Sequence, residues 1–152
     1  VIRIRVDDLT DPRTLALIAA HLAGMHALSP PESVHALDGS ALRRPGVTVW
    51  SAEIDGRIAG VGALQQLDDA RGEIKSMRVD AAFLGRGVGR AILRHIIGVA
   101  RERGLTSLWL ETGSAEEFLP ARRLYESEGF TECGPFGDYA PDPLSTFMTR
   151  AL

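Results

Sequence analysis

The reading of this chain turns on Met77–Ile97, MRVDAAFLGRGVGRAILRHII. Its opening residues have the character of a strand end, and from Gly89 onward apolar residues recur at helical spacing. Between the two, Gly85, Gly87 and Gly89 fall at every second position. Glycines so placed leave backbone N–H groups uncovered, so a ligand can approach closely. Those N–H groups run into a helix N-terminus, where unpaired donors and the macrodipole favour an anion. Arg86, Arg90 and Arg94 line the turn and the start of the helix. Leu84–Arg103 holds five arginines against one glutamate, in a chain of formal net charge −3. A phosphate-bearing ligand fits this arrangement.

Two familiar phosphate loops do not match. A dinucleotide fingerprint needs a third glycine where Arg90 stands, and a Walker-type loop needs Gly-Lys-Ser/Thr. The only lysine, Lys75, lies upstream on the preceding strand.

Working outward, Gly72–Val79 reads as the strand that feeds the loop, and Gly87–Arg103 as the helix that leaves it, ended by Gly104. Upstream, Val47–Ile54 and Arg57–Leu67 form a hairpin about Asp55-Gly56, with Gly60 and Gly62 marking a bulge or a close backbone approach. Ile2, Ile4 and Val6 alternate with Arg3 and Arg5, a half-buried strand. Thr10 or Asp11 with Pro12 opens a helix running to about Leu28, with Leu15, Ile18, Leu22 and Met25 on its apolar face. Ser29-Pro30-Pro31 stops it, and Glu32–Leu42 holds short helical turns. Downstream come a strand over Leu105–Thr112, a helix over Glu116–Glu128, and closing strands Phe130–Cys133 and Ser145–Ala151. Strands alternate with helices only in the second half. The expected class is therefore α/β with a mixed, mostly antiparallel sheet and about four flanking helices.

Composition narrows the partners. Hydrophobic residues at 45% and charged residues at 24% suit an ordinary globular protein, and residues 1–152 read as a single domain. No apolar run reaches the ~18 residues of a membrane span, and VIRIRVDD is no signal peptide. The lone Cys133 allows no internal disulfide, which points to a reducing, cytoplasmic home. The mild acidity argues against nucleic acid. His21 and His26, five apart, do not share a helix face as metal ligands would, so no metal is expected.

The run V-D-x-x-F-L-G-R-G-V-G-R-A-I-L, followed by A-R-R-L-Y-E-S-E-G-F at Ala121–Phe130, resembles the GNAT superfamily of acyl-CoA N-acyltransferases. The family loop reads (Q/R)-x-x-G-x-(G/A): Gly87 and Gly89 take the glycine positions, and Leu84 stands where the polar residue is usual. The resemblance implies a GNAT-like fold and acetyl-CoA as cosubstrate. It implies that Met77, Arg78 and Val79, on the strand, and Leu84, Gly85, Arg86, Gly87, Val88, Gly89 and Arg90, in the loop, hold the coenzyme. The backbone N–H of Met77 would face the thioester carbonyl, and Tyr125 would sit beside the sulfur as the acid. A phenol with an ordinary pKa of about 10 is protonated at neutrality and can donate to a thiolate.

The base is open between two carboxylates. Period two places Glu73, Lys75, Met77 and Val79 on one face of their strand, and Ile74, Ser76 and Arg78 on the other. Glu73 would then share a face with Met77, or else sit in a salt bridge with Lys75. Glu111, at the end of the neighbouring strand, is the second candidate. By the resemblance, His26, Ser33 and His35 are acceptor-pocket candidates, together with Asp138 and Tyr139 in the loop Gly134–Thr146. Asp138 suits a cationic amine, and Arg78 and Arg150 suit an acidic one. Cys133 reads as a small core residue.

The wider pattern is similar to a group of small bacterial acetyltransferases, some labelled as linked to indole-acetic-acid synthesis. The expected activity is direct acetyl transfer from acetyl-CoA to a primary amine of a small molecule, by a possible homodimer. A CoA-binding regulatory domain and a protein N-acetyltransferase are the rivals.

Overall fold

The computed structural model describes the backbone of residues 1–28 and 42–152, and the side chains of 1–20 and 42–152. Its elements are β1 (Arg3–Val6), α1 (Pro12–Leu28), β2 (Val47–Ile54), β3 (Arg57–Gln66), β4 (Arg71–Val79), α2 (Val88–Glu102), β5 (Ser107–Gly113), α3 (Leu119–Ser127), β6 (Thr131–Cys133) and β7 (Ser145–Ala151). Three α-helices are thus seen among the described residues, and the turns expected over Glu32–Leu42 lie outside those residues apart from Leu42 itself. None of these helices is long and apolar enough to cross a membrane.

The seven strands form one sheet in the order β1-β2-β3-β4-β5-β7-β6. β4 and β5 run parallel, and every other pair is antiparallel. Local chemistry accounts for the joints. Asp55 and Gly56 both take positive φ (50° and 75°), the backbone of a tight hairpin turn. The Asp11 carboxylate accepts from the Arg13 N–H at 2.9 Å and caps α1 over Pro12. Pro120 sits in the first turn of α3, so the helix expected from Glu116 begins as a 3-10 turn over Glu116–Phe118.

Each sheet face has its own core. On one side Val88, Ile92, Leu93 and Ile96 of α2 pack with Trp50, Leu64, Ile74, Leu108 and Leu110. The close approach depends on glycine: a Cβ at Gly62 would stand 2.7 Å from Ile92, and one at Gly60 would stand 2.9 Å from Val88. On the other side Leu17 and Ile18 of α1 pack with Val49, Ile58, Val61 and Ala63. Over residues 12–20 the buried face of α1 is Thr14, Leu17 and Ile18, with Leu15 only half-buried, and the expected Leu22 and Met25 lie outside the described side chains. Thr14 reaches inward because its hydroxyl donates to the buried Asp7 carboxylate at 2.7 Å.

β4 departs from period two, and this corrects the expected faces. Val61 pairs with Arg78 and Ala63 with Lys75, so Gly62 alone faces both Ser76 and Met77. Ser76 takes a φ of 56° in this bulge. Beyond it the side chains exchange faces. Met77 and Val79 pack with Ile74 against the α2 core, while Glu73 and Lys75 lie on the α1 side with Tyr139. Glu73 and Met77 therefore do not share a face, and Arg78 moves to the side of Glu73, opposite the bulk of Ile74.

Candidate active site

The bulge coincides with a second break. β4 and β5 pair from Arg71↔Ser107 only as far as Ile74↔Leu110. Past that point β4 stays with β3 and β5 stays with β7, and the two strands part. Lys75–Val79 thus keeps one sheet edge without a β5 partner, a row of backbone donors and acceptors able to pair with an extended amide chain.

The parted edge leads straight into the glycine loop. Asp80 caps the 3-10 turn Ala81–Phe83 by accepting from Ala82 N–H at 2.9 Å. Gly85 and Gly87 then adopt left-handed φ of 76° and 78°, with nothing within 4 Å of where a Cβ would stand. Gly87 is the N-cap of α2 and supplies no side-chain cap. The first helical bond runs from Ala91 N–H to the Gly87 carbonyl, so the N–H groups of Val88, Gly89 and Arg90 have no helical partner. Leu84, in place of the usual polar residue, is 66% exposed.

The arginines divide. Arg86 lies over the Phe83 ring at 5.5 Å. Arg90 donates to Ser127 and Glu128, and Arg94 donates to the same Glu128 oxygen at 2.6 Å. These two bonds draw the carboxyl of Glu128 below the usual carboxylate range. Arg90 and Arg94 are thus engaged with the end of α3, and the backbone remains as the principal anion binder of the loop.

α3 abuts the same turn: a Cβ at Gly89 would lie 3.3 Å from Leu124. Next to Leu124 stands Tyr125, buried, with its ring edge-on to Phe130 at 5.8 Å. Burial pushes its phenol well above the ordinary tyrosine value. Its hydroxyl makes no hydrogen bond among the described residues, so a proton is held with no protein acceptor.

On the opposite face, the loop after β6 folds back over the sheet. Phe136 and Tyr139 pack on Trp109 and Phe147 with ring centroids 5.1–5.9 Å apart. The Tyr139 hydroxyl donates to Glu73 at 2.6 Å, and the Lys75 ammonium lies 2.9 Å from the same carboxylate oxygen. Glu73 is buried, so the salt bridge with Lys75, not an exposed carboxylate, is the observed state. Burial, then the charges of Glu73 and Glu111, hold the Tyr139 hydroxyl protonated. Glu111, one residue past the point where the strands part, accepts from Ser145 at 2.6 Å. Asp138 is exposed, and Arg150 donates to the Glu128 carbonyl at 2.7 Å. His26 lies on α1 without a described side chain, and Ser33 and His35 lie outside the described residues. Among the described residues no group of three or more His, Cys, Asp or Glu could hold a metal.

A parted parallel strand pair, a bulge and an uncapped glycine-led helix follow one another in series, an arrangement that suits an extended ligand carrying phosphate. A family model of the acetyltransferase (GNAT) family matches residues 14–130. The chain belongs to the GNAT family of acetyltransferases. YsnE of Bacillus subtilis, an N-acetyltransferase itself uncharacterised, is 52% identical, covering 98% of this chain and 99% of its own. The IAA acetyltransferase of Azospirillum brasilense is 40% identical, covering 82% of this chain and 81% of its own. A candidate acyl-CoA N-acyltransferase of Klebsiella pneumoniae superposes with a TM-score of 0.81 at 30% identity, over 99% of this chain and 97% of that one. A GNAT acetyltransferase of Elizabethkingia anophelis solved with acetyl-CoA bound shares the fold at 18% identity, with a TM-score of 0.71 over 99% and 98% of the two chains.

This GNAT enzyme takes acetyl-CoA as cosubstrate, and the residues present fit it. The glycine cradle is open, the helix amides are unpaired and the β4 edge is free to accept pantetheine. Three features escaped the sequence reading. The bulge at Ser76 carries no glycine of its own to mark it. Ser145 lies 34 residues from Glu111. Glu128 was legible in principle, since Arg90 and Arg94 stand four apart on one helix face.

Proposed function

We propose that residues 1–152 act as a single acetyltransferase domain that moves an acetyl group from acetyl-CoA to a primary amine of a small-molecule acceptor, in a ternary complex. The observation that carries this reading is the parting of β4 from β5 beyond Ile74 and Leu110. It leaves β4 with an unpaired edge that runs into the glycine loop, and it supports an acceptor side at the cluster of Glu73, Lys75, Tyr139 and Glu111.

The amine nitrogen attacks the thioester carbonyl carbon, the carbon–sulfur bond breaks, and the sulfur leaves as thiolate. The Met77 N–H, on the free edge, is assigned to the developing oxyanion. Tyr125 gives the thiolate its proton. Glu111 takes the proton that the amine loses, because it stands one residue past the point where β4 and β5 part. Homodimerisation and a cytoplasmic home belong to the same reading; the single Cys133 suits a reducing compartment, and light scattering reads the assembly.

The test is thiol release from acetyl-CoA over a panel of small amines and one peptide N-terminus. Small amines turning over well ahead of the peptide support the proposal. In Glu111→Gln, kcat/KM should fall about 10²-fold near neutrality and recover as pH rises and free amine accumulates. Turnover of the peptide alone, or an unaltered Glu111→Gln, overturns it.

A further inference from the structure

We propose that the acceptor carries a carboxylate beside its amino group, as an amino acid does, and that Arg78 reads that carboxylate. This rests on the small-amine reading above and names its substrate class.

Arg78 is a cation without a partner among the described residues. Arg78 pairs with Val61, whose side chain belongs to the α1-face core. Arg78 therefore projects to the face that holds Glu73, Lys75 and Tyr139, which follows from the bulge and not from strand period. Its Nε is buried without a hydrogen-bond partner, and no hydrogen bond or ion pair reaches its guanidinium among the described residues. Arg78 as a whole is half-buried, and a guanidinium cannot shed its proton to relieve the buried Nε. Buried donors left unpaired are rare and costly, and each calls for an explanation. The neighbouring charges do not supply one: Glu73 is bound to Lys75 and Tyr139, and Glu111 to Ser145.

A second orphan stands in the same row. Ser51 pairs with Val61 on the strand beyond, and its hydroxyl is also buried without a partner. Trp50 and Ala52, its neighbours, belong to the α2-face core, so Ser51 points to the α1 face with Arg78. The two residues flank Val61, whose side chain is buried between them in the α1-face core. Arg78, on the parted edge of β4, is the donor that a carboxylate can reach. Arginine is the residue suited to it, since its planar fork matches two carboxylate oxygens.

Position sets the length of the acceptor. Arg78 directly follows Met77, whose N–H is assigned to the reacting carbonyl. The anion therefore lies close to the attacking amine, as in a free amino acid, and not at the far end of a long chain. Polyamines lack the anion, and a peptide N-terminus has an amide where the carboxylate is needed. The other cation proposed from sequence, Arg150, is occupied by the Glu128 carbonyl.

The test compares matched triplets, such as methionine, methionine amide and 3-(methylthio)propylamine, with several amino-acid side chains represented. The readout is kcat/KM from thiol release. The free acid should exceed both the amide and the amine by at least about tenfold. That ratio should fall toward one in Arg78→Gln and be restored in part in Arg78→Lys. The ratio is internal to each preparation, so a lower folded fraction or weaker coenzyme binding divides out. Equal turnover of acid, amide and amine, or an unchanged ratio in Arg78→Gln, overturns the inference and leaves the small-amine reading standing. No turnover of any triplet, with acetyl-CoA still stabilising the chain, overturns both.

Discussion

At the scale of single residues, Tyr125 shows how burial and chemistry meet in one side chain. Its ring belongs to the α2-face core, while its hydroxyl has no hydrogen-bond partner among the described residues. Removing that hydroxyl leaves the packing intact, so Tyr125→Phe should fold with nearly unchanged stability near neutrality. Loss of a positioned acid should still lower kcat by about 10²-fold or more, with little change in the KM for acetyl-CoA. If kcat stays within twofold, Tyr125 is packing alone. The pH dependence has a definite sign. Burial raises the phenol's pKa in the fold, so the neutral form is favoured there. The contribution is fully present below about 10, where the unfolded tyrosine is also neutral, and is lost as pH rises above it. Thermal melts of the wild type should therefore show an alkaline loss above pH 10 that is smaller in Tyr125→Phe.

At the scale of elements, the N-terminus of α2 sets local strain against function. Gly87 holds a φ of 78° with open space around it, and Gly98 lies within the same helix with nothing within 4 Å. An alanine at 87 meets no clash but must adopt a left-handed backbone, which costs about 1–2 kcal/mol. Its methyl would also stand over the amides of the anion site. Gly87→Ala should lower Tm by several degrees and weaken acetyl-CoA by about tenfold or more. Gly98→Ala should instead raise stability by about 0.5–1 kcal/mol and leave acetyl-CoA affinity alone. Isothermal titration of both variants checks the pair, and equal affinities would remove the loop from the coenzyme site. The same turn is fixed from outside by Glu128, which gathers Arg90 and Arg94 and so ties α2 to the end of α3. Those arginines look in sequence like phosphate ligands; in the fold they hold the two helices that frame the sulfur's expected position.

At the scale of the whole molecule, the proposed coenzyme site rests on three breaks in regularity that fall together: the bulge at Ser76, the end of β4–β5 pairing and the uncapped helix. A ligand filling it binds the native state alone and should stabilise by about 2.7 kcal/mol at 100 times its dissociation constant. Acetyl-CoA and CoA should both raise the melting temperature, with NAD and ATP without effect. A shift with NAD alone would contradict the loop assignment.

Much of this was legible in the residues themselves. Asp55-Gly56, Gly87, Gly104 and Pro12 act on the backbone within a few positions of where they stand, so turns, helix ends and the shape of the glycine loop follow from local chemistry. So do the strand and helix assignments, since the period of apolar residues is a local quantity. What needed the tertiary structure depends on partners distant in sequence. Whether Arg78 faces the acceptor depends on two residues of β4 sharing one partner, Gly62, on β3. Whether Glu73 is a free carboxylate depends on Tyr139, 66 residues away. Whether Arg90 and Arg94 are free depends on Glu128. Strand period carries no information about a register shift, and charge composition carries none about pairing. The fold class was therefore readable from the sequence, whereas the pairing of Glu73 and the face on which Arg78 lies were decided by the packing of the sheet.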